Sequence, residues 1–170
     1  VKYDISINRQ ANIYDLDNIY HGKMNLKLVN NDLIVYGTLE NMTMNSMMEM
    51  HIHQYGDLSG SISKLGSHYD LFNSNTHGYP LEYQGNLSSR HIGDLGFLFI
   101  NDTNYGNFYL NISLAYNESI YTAQEIFTSF IGRSIAIHNY DSSLNTFGSI
   151  LYRGVIGKTN LLPIIDYNIL

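Results

Sequence analysis

The chain has 170 residues, which suits one domain able to bury roughly two-thirds of its unfolded surface in a single core. A formal net charge of -6, from 9 Lys and Arg against 15 Asp and Glu, argues against non-specific nucleic-acid binding, which needs clustered basic side chains. Cysteine is absent, excluding disulfides, thiolate ligands and a thiol nucleophile, and no window approaches the 18 consecutive apolar residues of a membrane-crossing helix.

Tyrosine, asparagine, glycine and serine are plentiful and tryptophan is missing, a mixture suited to short strands joined by polar turns. Residues 1–20 predict an N-terminal extension followed by a first strand. Met24, Leu26 and Leu28 alternate with Asn25 and Lys27, the pattern of a half-buried strand. Asn30-Asn31-Asp32 supplies a turn, and Leu33 to Leu39 returns as the hairpin partner. Met42, Met44, Met47, Met48 and Met50 then crowd together. Thioethers favour Cu(I), although such a run also serves as flexible apolar filler beneath a loop. Residues 54–92 are rich in Gly, Ser, Asn and His with little periodicity, and a loop this long inside a compact domain is usually functional. Strands resume at Phe97 to Ile100, at Phe108, Leu110, Ile112 and Leu114, at Ile135 and Ile137, and at Val155-Ile156. About eight short strands without a long helix predict an all-β antiparallel sandwich or barrel.

Within this pattern, His51-Ile52-His53 stands out. In a strand, residues i and i+2 share a face, so both imidazoles can converge on one metal ion, although surface strands also carry such a pair by chance. Four of the seven histidines lie in or beside the long loop: His68 in Gly66-Ser67-His68-Tyr69, His77 before Gly78, His91 in Arg90-His91-Ile92-Gly93-Asp94, and His53 at its start. A bound cation would order such a loop by cross-linking it.

These segments, together with Gln54-Tyr55-Gly56-Asp57, Leu95-Gly96, Ile131-Gly132-Arg133-Ser134-Ile135-Ala136-Ile137-His138 and Gly154-Val155-Ile156-Gly157, resemble copper-zinc superoxide dismutase, in order from about residue 12 to 158. The resemblance implies an eight-stranded Greek-key sandwich, formed by a single domain over residues 1–170. It implies copper ligands His51, His53, His68 and His138, and zinc ligands His68, His77, His91 and Asp94, with His68 bridging. It also implies His68 and His138 as catalytic residues, superoxide as substrate, disproportionation to oxygen and hydrogen peroxide, and a homodimer. Imidazole suits both metals, and three His with one carboxylate form a closed zinc site. His21 is left over and is expected to be a surface strand residue.

The chain departs from the family in three places. The disulfide that ties the family's loop to its last strand falls on Ser61 or Ile62 and Arg153, so Arg153 is expected to donate to loop carbonyls near Ser61. The segment from Leu144 to Gly154 is short, and the arginine that draws in superoxide aligns with Ile150, leaving Arg153 or Lys64 as spatial substitutes. The carboxylate that orients one copper and one zinc histidine aligns with Ser142, and the adjacent Asp141 is expected to take its place.

A reading from another class is a dismutase-like structural or assembly module, motivated by these losses and by the apolar tail 159–170, a candidate surface for larger assemblies. The absence of an initiator Met and five N-x-[ST] sequons, at Asn41, Asn86, Asn101, Asn111 and Asn117, lean toward secretion over a cytoplasmic or virion-associated location. No nucleic-acid or membrane partner is expected.

Overall fold

Period-two alternation places Met24, Leu26 and Leu28 on one face of a strand, and all three are buried in the core. The computed structural model describes residues 7–43, 46–80, 87–115 and 120–159. The same alternation builds β1 (Ile7–Asp15), β2 (Tyr20–Val29), β3 (Asp32–Leu39), β4 (Met47–His53), β5 (Asp94–Ile100), β6 (Gly106–Ser113), β7 (Ser134–Asp141) and β8 (Thr146–Lys158). They close into an antiparallel barrel in the order β1-β2-β3-β6-β5-β4-β7-β8. The connections β3 to β4 and β6 to β7 cross over neighbouring strands, as in a Greek key. The second carries the short helix α1 (Ala123–Thr128), whose Thr122 hydroxyl accepts from Glu125 N at 3.1 Å.

The inward faces meet in one core, with Ile13 from β1, Val35 from β3, Met50 and Ile52 from β4, Leu98 from β5 and Ile135 and Ile137 from β7 all buried. The methionine run belongs to this core rather than to filler beneath a loop. Met48 and Met50 point inward from β4 and Met42 is buried beside them. All three lie among buried apolar side chains; Met44 lies outside the described residues.

His21 differs from its expected surface position. It is 5% exposed, with Nδ1 donating to Glu40 O at 2.8 Å and Nε2 2.9 Å from Asp15 Oδ2. The register shift after Ile13 and the turn after β1 bring Asp15 over β2, which closes the site around the ring. The apolar tail from residue 161 and the sequons at Asn86 and Asn117 lie outside the described residues, while Asn41, Asn101 and Asn111 are exposed. No helix among the described residues is long and apolar enough to cross a membrane.

Candidate metal centre

Because Met48, Met50 and Ile52 of β4 face the core, Glu49, His51 and His53 must face outward. They are nevertheless buried, at 1%, 0% and 4% exposure, because the loop segments carrying His68 and His77 lie over them. The β4–β7 register pairs Glu49 with His138, His51 with Ala136 and His53 with Ser134, which puts His138 on the same outward face. On the other side of β4, the register shifts after Met50 so that His51 pairs with Asp94. Gly96, next to the shift, has φ +114, a conformation that a side chain would strain.

The loop is fastened at both ends to the top of β4. Gln54 N donates to Ser67 O (2.9 Å) and Tyr69 N to Ile52 O (2.8 Å), forming a bridge that sets His68 opposite His53. Ile52 N donates to Gly93 O (2.7 Å) and Gly93 N to Tyr69 O (2.9 Å). A Cβ on Gly93 would meet Ile52 O at 2.4 Å, so this approach requires glycine. Asp70 caps the turn before His77 by accepting from Ser74 N (3.0 Å) and Asn75 N (2.8 Å). Arg90, 1% exposed, donates from Nη1 to the carbonyls of His91 (2.8 Å) and Asp94 (2.9 Å), pinning the segment that carries both residues. Burial lowers its pKa to about 10, which leaves it a cation at neutral pH.

Two groups of ligand atoms result, each within 4.8 Å of one another: His51, His53, His68 and His138, and His51, His68, His77 and Asp94. His51 belongs to both, and so does His68. Its Nδ1 lies 2.9 Å from Asp94 Oδ1, while its ring stacks on His51 with centroids 3.8 Å apart. His91 sits on the far side of Asp94, with Nδ1 3.3 Å from Oδ2 and its ring 5.4 Å from that of His68. All seven residues expected from the sequence are thus gathered in one place. In the second group, His51 rather than His91 accompanies His68, His77 and Asp94.

His53 Nδ1 donates to Gly66 O and His138 Nδ1 to Gly148 O, each at 2.8 Å. Because carbonyls only accept, each neutral ring carries its lone pair on Nε2. Those two Nε2 atoms are 3.0 Å apart. Two lone pairs in such apposition repel unless a cation or proton lies between them, and these rings resist protons. Burial and the neighbouring imidazoles lower the pKa of His53 to about 4 despite the Gly66 carbonyl, and burial lowers that of His138. The His51 pKa is also well below its ordinary value, through burial and the charges that His68 and His138 would carry. His51 Nδ1 and His91 Nδ1 are buried without a hydrogen-bond partner among the described residues. Neutral imidazoles with unused lone pairs are what a transition metal ion requires, so the residues fit.

The second group carries the opposite charge balance. Burial would raise the Asp94 pKa, but hydrogen bonds from His68 and His77 hold it well below the usual carboxylate range. Burial would lower the His77 pKa, but the carboxylates of Asp94 and Glu49, facing its two nitrogens, raise it to about 9. A carboxylate among imidazoles suits zinc.

Glu49 was not anticipated from the sequence. Its Oε1 accepts from His51 Nε2 at 3.0 Å and lies 2.6 Å from His77 Nε2. Asp141, expected to orient these histidines, is exposed, and its Oδ1 instead accepts from Ser143 N at 2.9 Å and Ser143 Oγ at 2.6 Å. The reason is local. The shortened segment forms a tight hairpin in which Asp141 pairs with Thr146, so the carboxylate caps its own turn. The same hairpin sets Phe147 over the centre, with ring centroids 5.1 Å from His51, 5.0 Å from His68, 5.2 Å from His77 and 5.1 Å from His138.

Arg153 is 7% exposed and pairs through β8 with Ala136 and Tyr14. Among the described hydrogen bonds, the guanidinium that holds the start of the loop is that of Arg133, as Arg90 holds its end. It donates from Nη1 to Gln54 O (2.6 Å) and from Nε to Ser129 O (2.8 Å), and lies 3.6 Å over the Tyr69 ring. Near Ser61 the loop is held instead by Leu58, Ile62 and Leu65 packed on Ala136 and Ile150. Ile150 is therefore buried, and Lys64 is 3.8 Å from Asp57, so neither that position nor Arg153 offers an exposed, unpaired cation.

Residues 20–158 match the family model of copper/zinc superoxide dismutase. The chain is similar to extracellular superoxide dismutase [Cu-Zn] 2 of Dictyostelium discoideum, 32% identical over 114 residues, covering 65% of this chain and 23% of that protein. It is similar to the superoxide dismutase [Cu-Zn] of Cryptococcus neoformans var. grubii, 28% identical over 120 residues, covering 71% of this chain and 70% of that one. An extracellular superoxide dismutase [Cu-Zn] of Brugia pahangi is 27% identical over 118 residues, covering 69% of this chain and 52% of the relative. The matched region thus spans only a part of these relatives, from under a quarter to over two-thirds of their length. With most of its length matched, the chain belongs to the copper/zinc superoxide dismutase family, and that membership makes copper and zinc its cofactors.

Proposed function

We propose that the chain disproportionates superoxide to oxygen and hydrogen peroxide, with His51, His53, His68 and His138 as copper ligands and His68, His77, His91 and Asp94 as zinc ligands. The observation that carries this reading is that His68, which belongs to both ligand groups as His51 also does, sets a ring nitrogen against Asp94. Its Nδ1 is committed to the Asp94 side, which leaves Nε2 to serve the imidazole group. When bound, copper would supply one-electron exchange, and zinc would hold the shared imidazole in place.

The protein's own residues do the rest. The carbonyls of Gly66 and Gly148 fix the tautomers of His53 and His138, so both Nε2 atoms face the centre as lone-pair donors. His68 can hold a proton on Nε2 while Asp94 retains its Nδ1, which makes it the residue suited to hand a proton to peroxide. Phe147 packs over four of the rings and keeps bulk water from them.

His138→Ala and His53→Ala are each expected to abolish superoxide consumption, measured by pulse radiolysis, while the barrel remains folded. Full activity in either variant contradicts the assignment. A second reading, a metal-ordered structural module of the same family, is favoured by the Phe147 cover and by Ile150 at the position of the guiding arginine. Wild-type protein replete with both metals yet inert toward superoxide would select it. Similarity to extracellular superoxide dismutases and the exposed sequons at Asn41, Asn101 and Asn111 support an extracellular setting.

A further inference from the structure

We infer that Glu49 is a positioning residue that decides which nitrogen of His51 and of His77 faces a metal ion, tying the two sites together from within β4. The inference rests on the ligand assignment proposed above, and its test separates the two.

Glu49 is an acid in a place that sequence position alone would fill with a small or apolar residue, the middle of a strand buried on both faces. Its side chain is 1% exposed, and Oε2 has no hydrogen-bond partner among the described residues. No Lys or Arg forms an ion pair with it among those residues; its close charge partners are His51 and His77. A buried carboxylate without compensation is strongly destabilising. The His77 ring, paired with both Glu49 and Asp94, supplies part of that compensation, and metal ions held by the same two rings would add to it.

The geometry also selects the tautomer. Glu49 Oε1 can only accept, so His51 donates Nε2–H to it, and the His51 lone pair lies on Nδ1. That Nδ1 is buried and unpartnered among the described residues. His77 approaches the same oxygen as an ion pair without hydrogen-bond alignment, with Nε2 2.6 Å from Glu49 Oε1 and Nδ1 3.1 Å from Asp94 Oδ2. One oxygen thus presents Nδ1 of a ring in the imidazole group and Nδ1 of a ring in the carboxylate group. Asp141 is turned to its own hairpin and cannot do this. Glu49 can, because i and i+2 in β4 share a face and the ring of His51 lies between the carboxylate and the centre.

The test is copper and zinc affinity, measured separately by chelator competition on the full chain, together with the EPR spectrum of the cupric protein. Glu49→Ala is expected to weaken both metals by about 10–100-fold and to change the cupric spectrum. Glu49→Gln keeps an oxygen acceptor at the same reach while being a poor metal ligand, and is expected to lose less than about tenfold with a wild-type spectrum. Asp141→Ala is expected to match wild type. Should the alanine protein fail to fold, Glu49→Asp, which shortens the reach by one methylene, is expected to fall below the glutamine variant in affinity for both metals. Alanine and wild-type affinities that agree would overturn the inference. A glutamine variant as weak as the alanine one would also overturn it, by making Glu49 a ligand itself. Wild-type protein that binds neither metal would overturn the ligand assignment, and the role of Glu49 with it.

Discussion

His53 and His77 belong to one cluster of rings yet hold protons with opposite tenacity, and the difference governs how the metal-free protein responds to pH. His53 has its pKa lowered from 6.5 to about 4, chiefly by burial. Between those values the unfolded chain binds the proton and the folded one does not, so stability falls as pH drops from 6.5 to 4, by at most about 3 kcal/mol from this group. His77 has its pKa raised to about 9 by Asp94 and Glu49 against the pull of burial. Its contribution is complete below 6.5 and is lost as pH rises through 9. Chelator-treated protein should therefore show its highest denaturant midpoint near pH 6.5, declining on both sides; a midpoint that rises toward pH 4 would contradict these assignments. Every ligand candidate was legible in the sequence, because histidine contexts such as His51-Ile52-His53 and Arg90-His91-Ile92-Gly93-Asp94 survive as short local patterns. Glu49 was not, because its role depends on His77, which arrives from a loop 28 positions away in the chain. The available signal was the period-two extension of His51-Ile52-His53 back to Glu49.

The hairpin between β7 and β8 and the loop between β4 and β5 together replace devices that other members of the family are expected to have. The hairpin is too short to form a wall, so it contributes one ring, Phe147, and turns Asp141 away. In the loop, the apolar contacts of Leu58, Ile62 and Leu65 with Ala136 and Ile150 stand at the position of a covalent tie. Leu65 is fully buried, so Leu65→Ala is expected to cost about 2–5 kcal/mol. It should also loosen the loop enough to speed metal release to a chelator. A variant with wild-type melting temperature and wild-type release would show that the loop is held elsewhere. The strands themselves were legible from alternation. The means of holding the loop was not, because Leu58, Ile62 and Leu65 are spaced without strand or helix period and gain meaning only when Ala136 and Ile150 lie beneath them.

Taken as one molecule, the barrel gives the centre a rigid floor but little long-range guidance for an anion. The chain carries a formal net charge of -6. Ile150 is buried, Lys64 is paired with Asp57, and Arg153 is 7% exposed in β8. Attraction of an anion by exposed cations is what makes an encounter rate fall with salt. Superoxide consumption should accordingly change by less than about twofold between low and physiological ionic strength, and a steep fall would reveal a guiding cation beyond those named. The barrel was legible from eight alternating segments, whereas the closeness of two ligand groups on its outer face needed the β4–β7 and β4–β5 registers. The account stands or falls on the sharing of His68 between those groups. Element-resolved metal content of the purified wild type and of His68→Ala tests it directly. Copper and zinc should both accompany the wild-type chain and both fall in the variant; metal-free wild-type protein, or a variant that loses one metal and keeps the other in full, would contradict it.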